Sequence, residues 1–253
     1  MADYDLIILG ASASALPLAA RFGARCLAAD EGISPGAEFV DALRADVCPT
    51  AGLSGFAADF GKRLFRRGIM TDEGRIHIGA AGGELAAAFL ESGCQLLTSV
   101  SVTETGRDGE DFFVEMHAGD SGYMKFTASA VVDTRIHDFM EYEKSCAASV
   151  RGDLKEGIYP GFELIRGAFD KEFVMRAPVG REDSLFEAHK RLLELFSDPI
   201  FKGAKICWLA AGFSYRLLKP YDGYKDEVGI IYIPSAGQPS LLEAIDAGVK
   251  LNV

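Results

Sequence analysis

The chain has 253 residues, 49% of them hydrophobic and 25% charged, and carries a formal net charge of -11. That composition describes a soluble globular protein with a sizeable core, and the acidic balance without any basic tract excludes a phosphate backbone as its main partner. No apolar run approaches the roughly 20 residues of a membrane span, and the first run is too short for a secretory signal, so a cytoplasmic protein with neither nucleic acid nor membrane among its partners is expected. The cysteines Cys26, Cys48, Cys94, Cys146 and Cys207 form no CxxC pair, which leaves no local redox couple or zinc knuckle. Cys26 and Cys94 read as packing residues.

Leu6 to Leu9 form a short apolar run, followed by small residues from Gly10 to Ala15 and by helical spacing from Leu16 to Phe22. A second apolar segment, Cys26 to Ala29, ends in Asp30 and Glu31. The order strand, tight turn, helix, parallel strand and acid is the pattern of a dinucleotide site. Such a site places a pyrophosphate beside the turn, and the acid accepts a hydrogen bond from a ribose hydroxyl. Of the three fingerprint glycines only Gly10 is present, Ser12 and Ala15 standing at the other two positions. Ala15 still permits close packing of helix on strand. Ser12 puts a Cβ where backbone should approach the ligand, although its hydroxyl can donate to phosphate. The same pattern also serves a βαβ unit that binds nothing. Asp30 favours a ribose without a 2'-phosphate.

Residues 32 to 55 are rich in Gly, Pro and Ala, with a short helix expected over Glu38 to Arg44. Phe56 to Gly68 has helical spacing and a basic face of Lys62, Arg63, Arg66 and Arg67, read as a solvated helix end or a phosphate contact. A short strand at Arg75 to Ile78 inside a glycine loop precedes a helix from Glu84 to Ser92. Strands are expected at Gln95 to Thr98, Val100 to Glu104, Phe112 to His117, Tyr123 to Ala128 and Ala130 to Asp133. Asp133 falls at the carboxyl end of the last of these, where open α/β sheets bind ligands.

Over positions 5 to 135 and 229 to 250 this order of elements resembles the FAD-dependent oxidoreductases that bind FAD in an extended pose. The motifs that carry the resemblance are Leu6 to Leu9 with Gly10, Ser12, Ala15 and Asp30; Val131-Val132-Asp133-Thr134-Arg135 in place of an ATG-like turn; and Gly237-Gln238 in place of a GD turn. Arg135 stands where the family has glycine, and Gln238 where it has Asp. The helix after that turn has its own local signature, since Ser240 caps it with Glu243 at capping-box spacing.

The resemblance implies an α/β fold, a Rossmann-like FAD/NAD(P)-binding three-layer domain with a β-meander insertion and a small substrate-layer segment. It implies FAD as cofactor, contacted by Gly10, Ser12, Ala13, Ala15, Asp30, Glu31, Val102, Asp133, Arg135, Gly237, Gln238, Ser240 and Leu241. Residues 1–150 and 229–253 would form the FAD-binding domain, and residues 151–228 a reduced substrate or dimerisation segment. That segment reads as a hairpin at Glu163 to Arg166 and Glu172 to Arg176, a helix from Ser184 to Phe196, a strand from Ala204 to Ala210 and an aromatic loop bearing Phe213, Tyr215, Tyr221 and Tyr224.

The activity implied is an FAD-dependent oxidoreductase acting on a small organic substrate, with a homodimer through the aromatic loop as a further expectation. The alternatives are a non-catalytic relative whose cofactor site has closed and an NAD-dependent dehydrogenase. A flavin performs the redox step itself, so the sequence names no catalytic residue. His77 and His137 lie near the expected cofactor elements and can serve as acid or base; His117 reads as structural and His189 as solvated. Tyr215, Tyr221 and Tyr224 are alternative donors to a substrate oxygen. No metal-ligand spacing, phosphate-loop lysine or GxSxG turn is present.

Overall fold

A computed structural model describes residues 2–253. The chain opens with β1 (Tyr4–Leu9), α1 (Leu16–Phe22) and β2 (Cys26–Ala29), followed by α2 (Ala37–Val40), α3 (Gly55–Arg66) and α4 (Ile78–Ser92). β3 (Gln95–Leu97) leads into a meander of β4 (Ser101–Asp108), β5 (Asp111–Ala118) and β6 (Gly122–Asp133). A second group follows: β7 (Tyr142–Arg151), β8 (Gly157–Tyr159), β9 (Phe162–Arg166), β10 (Glu172–Val179), α5 (Leu185–Leu195), β11 (Lys205–Leu209) and β12 (Ser214–Leu217). β13 (Tyr224–Lys225), β14 (Ile231–Tyr232) and α6 (Leu241–Lys250) return to the first group.

The first sheet runs in the order β13-β14-β6-β1-β2-β3, with β14, β6, β1, β2 and β3 parallel. Alternation along β1 explains its place at the centre. Leu6 and Ile8 enter the core under the helices, whereas Ile7 and Leu9 enter a second core with Val114, Met116 and Val100 of the meander side. The three layers are therefore helices, parallel sheet and meander. β6 belongs to two of them: its first half pairs with β5 and its second half with β1. The strands expected at Tyr123 to Ala128 and Ala130 to Asp133 are this one element.

The second sheet is antiparallel, ordered β11-β7-β10-β9-β8, with β12 also on β7. Its β7 starts at Tyr142, so this sheet includes residues on the N-terminal side of position 151. Its small and apolar residues Cys146, Ala147, Ala148 and Val150 share one core with the helices of the first group.

Three local expectations change. The helix expected over Glu38 to Arg44 is only the four residues of α2, because Leu43 adopts φ 52° and turns the chain. The strand at Arg75 to Ile78 reduces to one bridge between Met70 and Ile76, and α4 starts at Ile78. Burial of Ala81, Leu85 and Phe89 holds α4 through its glycines. The basic face of α3 pairs with acids: Arg63 reaches Glu84 at 2.5 Å and Glu91 at 2.6 Å, and Lys62 reaches Asp59.

Candidate functional site

Three segments distant in sequence meet at the carboxyl ends of β1, β2, β6 and β14: the loop 10–15, the turn 133–135 and the turn 235–240. Gly10 has φ 94°, and a Cβ there would lie 2.5 Å from Thr134 Oγ1 and 3.1 Å from Arg135 Cγ. The Thr134 hydroxyl donates to the carbonyls of Leu9 and Gly10. The Ser235 amide donates to Thr134, which ties the third segment to the second. Gly248 lets α6 touch the loop, since a Cβ there would lie 2.0 Å from the Ser14 carbonyl oxygen.

Most amides of the loop are paired within the chain. Ala11 donates to Asp30 Oδ2 at 2.6 Å, and Gly32 donates to Asp30 Oδ1 at 2.6 Å. Asp30 thus stands at the tip of β2 as expected, holding the loop. Ser12 is buried and its hydroxyl accepts from the Ala15 amide, so it faces the protein. Ala13 donates to Glu38 Oε1 at 2.8 Å, and the Ser235 hydroxyl donates to the same oxygen at 2.7 Å. Ser14 donates to Ser235 Oγ. Burial pushes the Glu38 carboxyl above the usual carboxylate range, against the bonds from Ala13 and Ser235, and Asp30 adds to the rise.

Arg135 lies over Gly10 and makes two guanidinium bonds to buried Asp133, at 3.0 and 2.7 Å, with Glu31 3.8 Å away. His137 Nε2 is 3.0 Å from the same carboxylate. Burial opposes ionisation of Asp133, but the bonds from His137 and Arg135 outweigh it and hold the carboxyl below its ordinary range. A depressed acid contributes stability that is full above the unfolded value of about 3.9 and lost as pH falls through the folded one. Asp133→Asn is therefore expected to lower the melting temperature at pH 7, with the gap to wild type closing only as pH falls below the ordinary carboxylate range. A thermal-melt series against pH checks this; a gap that stays constant would contradict it.

The third segment departs most from its expected role. A Cβ on Gly237 would lie 2.2 Å from Leu217 Cδ1, so the β12 side chain covers that turn. The Gln238 amide donates to both oxygens of Asp222 at 3.0 Å. Ser240 caps α6, accepting from the Glu243 amide while its hydroxyl donates to the Glu243 carboxylate. Leu241 is buried in the helical core, and Val102 packs into the meander core. It is the Val100 amide, two residues earlier, that bonds Asp30 through its carbonyl.

Two residues carry weight that the sequence did not reveal, Glu38 and Arg44. The buried Arg44 guanidinium donates to the carbonyls of Ala236 at 2.5 Å, Gln238 at 2.7 Å and Pro239 at 3.2 Å. Both act across more than 190 residues of chain, and no local pattern signals that.

A cavity of about 970 Å³ opens between the 237–239 turn and the second sheet. Tyr142, Phe162, Val179 and Tyr215 supply apolar surface, and the charges are of both signs: Arg176 pairs with Asp46 and Glu163, and Arg216 with Glu143, all of them lining residues beside Lys144 and Arg181. Tyr215 is the one of the three expected tyrosine donors that lines it. Tyr221 and Tyr224 pack instead around Phe139. His77 bonds Glu172 at 2.5 Å beside Phe169 and Trp208. His189, expected to be solvated, is 2.8 Å from the Ala210 carbonyl, and His117 stacks edge-on with Tyr123.

No family model and no curated protein matches this sequence. Solved structures do. Anhydrotetracycline hydroxylase from Streptomyces rimosus is 17% identical over 98% of this chain and 61% of its own, with a TM-score of 0.60. The myxobacterial chondrochloren halogenase, a variant of the FAD-dependent halogenases, is 16% identical over 90% and 67%, with a TM-score of 0.62. Glycine oxidase from Geobacillus kaustophilus is 13% identical over 98% and 93%, with a TM-score of 0.63.

The chain has the fold of the FAD-dependent oxidoreductases.

Within this flavoprotein fold, the described chain spans between 55% and 61% of the length of three hydroxylases that it matches. One of them, aklavinone-11 hydroxylase, is a ternary complex with FAD and aklavinone. Whether the residues here suit FAD turns on the donors of the loop. The Ala13 amide and the Ser235 hydroxyl converge on one carboxylate oxygen, so the donor set fits an anion, with Glu38 standing in for a phosphate oxygen. Asp30 retains lone pairs for a ribose hydroxyl beyond the two bonds it accepts.

Proposed function

We propose that this chain is an FAD-dependent oxidoreductase acting on a small organic substrate held in the cavity beside Tyr142 and Tyr215. The observation that carries the reading is the convergence of an anion-accepting donor pair, Asp30 and the Thr134 turn at the carboxyl ends of the parallel strands. Ala13 and Ser235 would hold the pyrophosphate, and Asp30 the adenosine ribose. Bound FAD would supply the hydride or electron transfer. The chain's own part is to orient the ligands and exclude water, and the lining of the cavity, aromatic and apolar surface beside paired charges of both signs, suits an aromatic or otherwise apolar molecule with polar substituents.

The test is the visible spectrum of the purified protein, before and after incubation with FAD. Flavin absorbance bands that move on binding are expected. A preparation that stays colourless and leaves the FAD spectrum unchanged would sink the reading. If FAD binds, Asp30→Ala is expected to weaken it by about 1–3 kcal/mol, the scale of a charge-assisted hydrogen bond, in an equilibrium titration. Unchanged affinity removes Asp30 from the ribose role.

One pair of observations favours a second reading, a non-catalytic relative. Glu38 fills the anion seat, and Leu217 covers Gly237. In that reading the same spectrum shows no flavin, and the cavity binds its ligand without a redox step. The NAD-dependent alternative gains nothing from the structure, whose meander and matched neighbours are of the flavoprotein kind.

A further inference from the structure

We propose that Glu38 is a built-in competitor for the anion seat, so that FAD binds only by displacing a carboxylate that the fold itself supplies. The inference rests on the FAD reading above and concerns what sets affinity within it.

Glu38 is held in place from both sides. Gly36, just before α2, donates its amide to the Ala11 carbonyl at 2.8 Å, and its φ of 77° sets α2 against Leu85, where a Cβ would lie 2.3 Å from Cδ1. One carboxylate oxygen then accepts from the Ala13 amide at 2.8 Å and from the Ser235 hydroxyl at 2.7 Å. These two donors belong to segments 25 and 197 residues away, so the acid joins the loop to the turn before α6. Both partners are neutral, and Asp30 repels the same carboxylate.

Two anions cannot share one pair of donors. A pyrophosphate arriving there meets a carboxylate of the same sign, already hydrogen-bonded and tethered at high effective concentration. The cation over the loop does not relieve this, because Arg135 is committed to Asp133 and Glu31. A neutral side chain at position 38 would remove the facing charge and hold the Ala13 amide and Ser235 hydroxyl less firmly against the ligand.

The test is an equilibrium titration of wild type, Glu38→Gln and Glu38→Ala with FAD, ADP and adenosine, read by flavin fluorescence and calorimetry. Glu38→Gln keeps the shape and can still accept from Ala13, so it guards against a failure of Glu38→Ala to fold. FAD and ADP are expected to bind both variants roughly tenfold or more tighter than wild type, from removal of one facing charge. Adenosine, without phosphate, is expected to bind all three proteins alike. Equal or weaker FAD binding by Glu38→Gln overturns the proposal and leaves the FAD reading standing. An equal gain for adenosine overturns the competition between anions. No FAD binding by any of the three overturns both.

Discussion

Gly248→Ala is expected to destabilise the protein by about 3 kcal/mol, lowering the melting temperature by roughly 6–12 °C for a chain of this size. The added Cβ would lie 2.0 Å from the Ser14 carbonyl oxygen and 2.7 Å from Pro17 Cγ. Backbone cannot yield as a side-chain tip can, so α6 must move away from the loop 10–15. Ser14 then loses the bonds that its amide makes to Ser235 and its hydroxyl to Ala244. Gly83→Ala is the control, because nothing lies within 4 Å of that site on α4. There alanine is expected to stabilise by about 0.5–1 kcal/mol through helix propensity. Equal melting temperatures for the two variants would contradict the close approach of α6.

Arg44→Met is expected to cost about 3–5 kcal/mol, the scale of removing one partner from a buried charged network. Its guanidinium is the donor to the Ala236, Gln238 and Pro239 carbonyls, and it also pairs with Asp46 at 3.4 Å. Asp46 keeps Arg176 at 2.9 Å, so the uncompensated groups are the three carbonyls. Arg44→Lys is expected to restore only part of the loss, since an ammonium cannot span the fork that a planar guanidinium bridges. Hydrogen exchange should localise the damage to residues 235–241, of which Gly237, Gln238 and Pro239 line the cavity. Uniformly unchanged exchange there would remove Arg44 from its role as the clamp of that turn.

What was legible in the sequence were the elements whose signal is local. Leu6 to Leu9, the helix after Ala15 and the segment ending in Asp30 fold as read, because period-two and helical spacing are enforced by one face against one core. Ser240 caps α6 as its spacing to Glu243 implies. β7 has no local signature, because Cys146, Ala147 and Ala148 are small and carry weak strand preference, so burial in the shared core decides their conformation. The helix expected from Glu84 starts already at Ile78, because burial of Ile78, Ala81 and Leu85 overrides the weak helix preference of its glycines.

The site was half legible. Gly10, Asp30, Asp133 and Arg135 do gather at one end of the sheet, as a parallel arrangement of β1, β2 and β6 requires. The roles within the site were not legible, because they depend on distant partners. Ser12 turns inward to Ala15, Gly237 lies under Leu217, and Glu38, expected only to start a short helix, holds the donors. Pairing over such separations leaves no periodic trace.

Titration of the full chain with FAD, followed by the change in the flavin's visible bands, bears most directly on the FAD reading. A saturable spectral change, steeper for Glu38→Gln than for wild type, is the predicted result. Absence of any saturable change in wild type would contradict FAD binding by this chain.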